Sequence, residues 1–184
     1  MLRPSHIPNL ICVLRIILVA PIVASLLSGD FRLALLLIFV AGGSDGLDGY
    51  LAKRFDWRTR LGGLLDPLAD KFLMFAVFVT LSYIGLTPIW LTAIVIGRDV
   101  IIVSGATAYN ALIGQVSGEP SLISKVNTAY QLIYMLMVIS QQAFGWPLDS
   151  GILIFGAGVL FTGVVSGLDY VLRWSAKAVA ERRV

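Results

Sequence analysis

The sequence predicts an all-α, integral membrane bundle of six transmembrane helices. Three observations lead there. The 184-residue chain is 58% hydrophobic and only 14% charged, with a mean hydropathy of +0.87, whereas a soluble domain carries about 25% charged residues. The apolar residues fall in long runs that extend to roughly 20 residues, enough to cross a hydrocarbon core of about 30 Å. Glycine, proline and short polar clusters interrupt the runs, as turns require.

Six spans follow in order, at about 8–27, 32–54, 61–83, 89–113, 122–144 and 148–174. Ser28-Gly29-Asp30 separates the first two, and Phe55-Asp56-Trp57-Arg58 leads from the second into the third. Gly85-Leu86-Thr87-Pro88 precedes the fourth, a polar stretch over 114–120 precedes the fifth, and Trp146-Pro147 precedes the sixth. Arg3 before an apolar run resembles a signal peptide. Arg15 interrupts that run and no small-x-small cleavage site follows, so the segment is read as a retained first helix. No repeat is visible, and the length suits one domain over 1–184. With one cysteine, Cys12, no internal disulfide is possible, and His6 reads as a solvated interface residue.

Charge orients the bundle. Arg3, Lys53, Arg54, Arg58, Arg60, Lys125, Arg173, Lys177, Arg182 and Arg183 fall on one side, and Arg32 lies near the other. The positive-inside rule places both termini and the 53–60 turn in the cytosol; the expected membrane is a bacterial or organellar inner membrane. The net charge of +3 then reads as a rim facing anionic lipid rather than a nucleic-acid surface. Gly163 and Gly167 form a small-xxx-small pair that suits either packing within the bundle or dimerisation.

The functional signal is acidic. Asp45 and Asp48 lie twelve and nine residues before Trp57, and Asp66 and Asp70 nine and thirteen after it. In an antiparallel hairpin the two pairs lie level, roughly 10–15 Å below the turn. Spacings of three and four put each pair on one helix face. One aspartate at a membrane-helix centre costs about 2.5–3.5 kcal/mol, so four approach roughly 10 kcal/mol before repulsion. Protonation, pairing with Arg or Lys, or two divalent cations would offset this. All-oxygen ligation suits Mg²⁺, Mn²⁺ or Ca²⁺ rather than zinc or copper. Interfacial capping and a proton or ion pathway, as in a transporter, are the alternatives. Gly46, Gly49, Gly62 and Gly63 leave room for a bulky group against the backbone, and with Lys53 and Arg54 they suggest a diphosphate clamp.

These residues read Asp45-x-x-Asp48-Gly49-x-x-Ala52-Lys53, eight residues, then Gly62-x-x-x-Asp66-x-x-x-Asp70. The stretch resembles the signature of the CDP-alcohol phosphatidyltransferases, D-x-x-D-G-x-x-A-R-x₈-G-x-x-x-D-x-x-x-D. Seven of eight fixed positions match, and Lys53 stands where the family has arginine. The resemblance implies an enzyme that splits the diphosphate of CDP-diacylglycerol, releases CMP and passes the phosphatidyl group to an alcohol. It implies that Asp45, Asp48, Asp66 and Asp70 surround two divalent cations, Mg²⁺ or Mn²⁺. Asp70 would also be the base on the acceptor hydroxyl. Gly49, Ala52 and Gly62 would line the cytidine–diphosphate pocket, with Lys53 or Arg54 in the role of the family's arginine. A homodimer is also implied.

Polar groups at membrane depth point to the acceptor site. Arg98 reads either as a buried partner of Asp99 or as an anion site for an acceptor phosphate. Arg15 reads as an acceptor-binding group or as a cation snorkelling to the interface. Lys125 opens Ile123-Ser124-Lys125-Val126-Asn127-Thr128-Ala129, which looks like the I-S-K-V-N-T-A of the family's cardiolipin synthases. Phosphatidylglycerophosphate synthases tend to carry a second lysine where Asn127 stands. Glycerol 3-phosphate, nearly a dianion, favours the extra cation, and monoanionic phosphatidylglycerol needs less. The expected acceptor is therefore phosphatidylglycerol, with glycerol 3-phosphate the runner-up. A membrane prenyltransferase, which also sets Asp pairs on a diphosphate, normally needs a longer chain with its acidic motifs well separated.

Overall fold

The computed structural model describes residues 7–55, 62–112 and 121–181, and side chains over 13–44, 69–105 and 121–172. Six helices follow one another: α1 (Ile7–Leu27), α2 (Phe31–Phe55), α3 (Gly62–Tyr83), α4 (Ile89–Leu112), α5 (Leu122–Phe144) and α6 (Asp149–Glu181). No strand occurs among the described residues. The bounds fall within a few residues of the expected spans, except that α6 runs on to Glu181 rather than stopping near 174. His6 and the expected polar connection over 114–120 lie outside the described residues.

Among the described residues, two helical segments are long and apolar enough to cross a membrane, Leu122–Phe144 and Asp149–Leu172. Two further apolar stretches, Val13–Leu27 and Phe31–Ser44, are shorter.

The turns are built as their residues dictate. Gly29 ends α1 with φ 78°, so that Asp30 N–H donates to Ser25 O at 2.9 Å and Gly29 N–H to Leu26 O at 3.3 Å. Gly85 ends α3 with the same φ, and Leu86 N–H donates to Leu81 O at 2.9 Å. Both are Schellman-type closures, whose left-handed residue suits glycine. Asp30 then caps α2, its Oδ1 accepting from Leu33 N–H at 3.1 Å. Ser121 opens α5, its carbonyl accepting from Lys125 N–H at 3.1 Å.

The chain divides into two compact units. The first comprises Met1–Thr87 and Val138–Trp146. Here α1 packs against both α2 and α3. The buried stripe of α1 is Arg15, Val19, Ile22 and Leu26, spaced by four, three and four, which keeps one side of a helix facing its neighbours. Ala34, Leu35, Ile38 and Ala41 supply the matching stripe of α2, and Ala69, Leu73, Val77 and Leu81 that of α3. At the far end, Arg32 Nε donates to Ala143 O at 3.3 Å and its guanidinium lies 5.5 Å from the Phe144 ring centroid. Arg32 is thus held by a carbonyl and a ring face.

The second unit comprises Pro88–Met137 and Pro147–Val184. α4 packs against α6, and Asn127, Tyr130 and Tyr134 of α5 reach α6. Glycines on α6 let the helices approach. A Cβ on Gly156 would stand 3.1 Å from Tyr134 Cε2, and one on Gly158 would stand 2.6 Å from Tyr130 Cδ1. Tyr130 is backed by Phe155, with ring centroids 5.6 Å apart. The Gly163–Gly167 pair is used within this unit. A Cβ on Gly163 would touch Asn127 Oδ1 at 3.5 Å and Ile94 Cγ2 at 3.6 Å, and one on Gly167 would meet Arg98 Cγ at 3.9 Å.

Gly158→Ala is expected to lower the melting temperature in detergent. Alanine's helix advantage of about 1 kcal/mol is outweighed by an overpacking cost of about 1–3 kcal/mol against the ring. In a Tyr130→Ala background the same substitution is expected to be neutral or stabilising. A loss that persists there would rule out the ring as the cause.

Candidate active site

The helices carry the acidic motif unbroken. α2 runs through Asp45, Asp48, Gly49, Ala52, Lys53 and Arg54, and α3 begins at Gly62 and runs through Asp66 and Asp70. The three-residue and four-residue spacings are therefore helical spacings, and each pair shares a face. The side chains of this set lie outside the described residues, except that of Asp70.

Asp70 is bound to Arg15. Arg15 Nη1 donates to Asp70 Oδ1 at 2.6 Å, within an ion pair whose side chains are 1% and 52% exposed. The asymmetry follows from the stripes. Arg15 occupies a core position of α1, one turn before Val19, whereas Asp70 is the neighbour of buried Ala69 and sits at the edge of the α3 stripe. The snorkelling reading of Arg15 is thereby corrected. Its side chain turns into the α1–α3 packing because a carboxylate waits there, and a desolvated guanidinium requires such a partner.

The residues present fit a hard divalent cation. Among the described residues no group of three possible ligands stands together; Asp70, a carboxylate of the kind such an ion takes, holds a positive group at 2.6 Å.

A second polar cluster forms the core of the other unit. Arg98, on α4, is 5% exposed. Its Nη1 donates to Asp99 Oδ1 at 2.6 Å, its Nη2 to Ser166 Oγ at 3.0 Å and to Ser124 Oγ, and its Nε to Ser166 Oγ at 3.3 Å. The pairing with Asp99 that the sequence offered as one reading is present. Asn127 is fully buried, and its Oδ1 accepts from Thr162 Oγ1 at 2.9 Å. Thr162 Oγ1 also donates to Gly158 O at 2.6 Å, so its one proton is shared between two acceptors, and Asn127 Nδ2 lies inside without a partner. Gln131, one turn further along α5 and also buried, likewise has an unpartnered Nε2. Lys125 is exposed at the start of α5.

Sequence reasoning named Arg98, Lys125 and Asn127 here but missed Ser124, Gln131, Thr162 and Ser166. A signal existed. Ser124, Asn127 and Gln131 fall at the three-and-four spacing of the buried stripe of α5, and Thr162 and Ser166 share a face of α6.

The chain belongs to the CDP-alcohol phosphatidyltransferase family, which matches it over residues 5–168. Among curated proteins it is similar to the cardiolipin synthase (CMP-forming) of Homo sapiens, at 34% identity over 185 residues, covering 91% of this chain and 61% of that protein. The corresponding protein of Rattus norvegicus gives the same values. It is also similar to the CDP-diacylglycerol–glycerol-3-phosphate 3-phosphatidyltransferase of Pseudomonas fluorescens, at 36% over 149 residues, covering 76% of this chain and 75% of that protein. The chain thus spans about three-fifths of the length of the mammalian relatives it matches.

Arg98→Ala is expected to cost about 2–3 kcal/mol of stability, because it strips the Ser124 and Ser166 hydroxyls of a charged partner and Asp99 of its counter-charge. Arg98→Lys, a point charge in place of a planar fork, is expected to recover only part of that. Thermal denaturation of the two variants beside wild type checks the ranking.

Proposed function

We propose that the chain is a cardiolipin synthase that transfers the phosphatidyl group of CDP-diacylglycerol to phosphatidylglycerol and releases CMP. The observation that carries the choice of acceptor is Asn127, neutral, fully buried and tied to Thr162. The resemblance puts a second lysine there in enzymes whose acceptor is glycerol 3-phosphate. A neutral amide suits a monoanionic phosphodiester, which needs fewer cations. The match to the mammalian cardiolipin synthases over 91% of the chain, against 76% for the Pseudomonas fluorescens relative, supports the same choice.

In this reading Asp45, Asp48, Asp66 and Asp70 hold two divalent cations, Mg²⁺ or Mn²⁺. When bound, these supply Lewis-acid neutralisation of the diphosphate and of the departing phosphate. Gly49, Ala52 and Gly62 let the cytidine and diphosphate approach the backbone, and Lys53 or Arg54 meets the phosphate charge. Asp70 accepts the proton of the acceptor hydroxyl as its oxygen forms the new bond to the phosphatidyl phosphorus. The bond from that phosphorus to the bridging oxygen breaks, and CMP leaves with it. Arg98 and Lys125 supply positive charge on the acceptor side.

We further propose that the chain is one catalytic domain over 1–184, that all six helices lie in the membrane with both termini and the site on the cytosolic side, and that it works as a homodimer. The membrane reading is supported by the two spanning segments and by apolar side chains turned outward, among them Phe39, Leu153, Ile154 and Phe161, all more than 60% exposed. Such a surface suits lipid rather than water.

The second reading, a phosphatidylglycerophosphate synthase, is favoured by the Pseudomonas fluorescens relative, whose length the chain covers to 75%. An acceptor screen separates the two. Purified protein with labelled CDP-diacylglycerol and Mn²⁺ or Mg²⁺ is expected to yield cardiolipin from phosphatidylglycerol. Turnover with glycerol 3-phosphate and none with phosphatidylglycerol would reverse the assignment.

Asp66→Asn and Asp70→Asn are each expected to lower turnover by at least about 100-fold, the scale of losing acid–base catalysis or a metal ligand. Chelation of divalent ions is expected to abolish it. Activity that survives either treatment would remove the metal from the reaction.

A further inference from the structure

The motif that carries the chemistry lies on α2 and α3, yet the partner of Asp70 comes from α1. Arg15 is outside the motif, is 1% exposed, and places Nη1 2.6 Å from Asp70 Oδ1. We propose that Arg15 occupies the cation position at Asp70 in the metal-free protein and gives that oxygen up when a divalent ion binds. It is a positioning residue: it acts through Asp70 rather than on substrate. The inference rests on the assignment of Asp70 to the metal site made above.

Three features lead to this arrangement. In the metal-site reading the four carboxylates repel one another, and a positive group beside them is, with protonation, a way to offset that repulsion without metal. Arg15 supplies that group from a buried stripe, where α1 contacts both α2 and α3. Its aliphatic stem is held in the core, so the guanidinium stays near the site whether or not it is bound to Asp70. Finally, Asp70 is half exposed while Arg15 is not. Solvent, and an ion in it, therefore reaches the carboxylate and not the arginine.

The opposite role is a fixed brace, in which Arg15 orients Asp70 equally well with metal bound. The two roles differ in the sign of one measurement. A competitor that is removed leaves the site free to bind metal more tightly. A brace that is removed leaves the ligand loose and binding weaker.

The experiment titrates Mn²⁺ into the detergent-solubilised full chain, following the electron paramagnetic resonance signal of free Mn²⁺, with melting temperatures recorded with and without the ion. For R15Q the melting temperature without metal is expected to fall, while Mn²⁺ binds more tightly by on the order of fivefold, the worth of a half-exposed ion pair. R15K keeps a charge on a more strongly hydrated point group and is expected to fall between wild type and R15Q. D66N is expected to weaken Mn²⁺ binding at least tenfold with either Arg15 or R15Q. Unchanged or weaker binding in R15Q, with D66N behaving as expected, overturns the inference alone. D66N binding Mn²⁺ as tightly as wild type overturns the metal-site reading, and the inference with it. Should R15Q not fold, R15K decides: binding no tighter than wild type overturns the exchange.

Discussion

A guanidinium removed from water must find acceptors, and each of the two compact units has one such group in its core, Arg15 in the first and Arg98 in the second. The cost of leaving either unpaired is several kcal/mol, far more than any single apolar contact contributes. Local choices follow from that constraint. Asp70 lies at the edge of its stripe where Arg15 reaches it, and Ser124, Ser166 and Asp99 converge on Arg98 from α5, α6 and α4. The helices pack as they do because these polar groups have few other ways to be satisfied.

The same constraint separates two kinds of buried polarity. Arg98 has its donors engaged, which makes its cluster rigid. Asn127 and Gln131 each keep a buried N–H₂ without a partner, and an unsatisfied buried donor costs about 1–3 kcal/mol. Native cores rarely tolerate two such groups one helical turn apart. Both stand one turn apart on α5, beside the satisfied Arg98 cluster. Outside the cores many side chains are apolar and exposed, among them Phe39, Leu153, Ile154 and Phe161.

The helices were legible in the sequence because they are local. Long apolar runs punctuated by Gly29, Gly85 and Pro88 fix where the backbone can turn, and the structure closes α1 and α3 at those glycines. The acidic motif was legible for the same reason, since its spacings are helical and α2 and α3 carry it unbroken. Partner choice was less so. Arg98 had two readings, and the sequence alone did not select Ser124 and Ser166, which lie 26 and 68 residues away. Arg15 was expected at the acceptor or at the interface, and its partner lies 55 residues on. The helix stripe that buries Arg15 was visible as a spacing, but not which neighbour that stripe would face.

The sequence by itself determined a helical chain of membrane composition carrying a metal-type carboxylate motif at fixed helical spacing. These properties depend on residues within a few turns of one another, where backbone geometry sets the distances. Tertiary structure alone decided which cation meets Asp70, which hydroxyls surround Arg98, and that the Gly163–Gly167 pair serves packing inside its own unit. Those outcomes depend on how one helix rotates against another, and that rotation is set by side-chain volume and polar pairing summed over whole stripes rather than by any local run of residues.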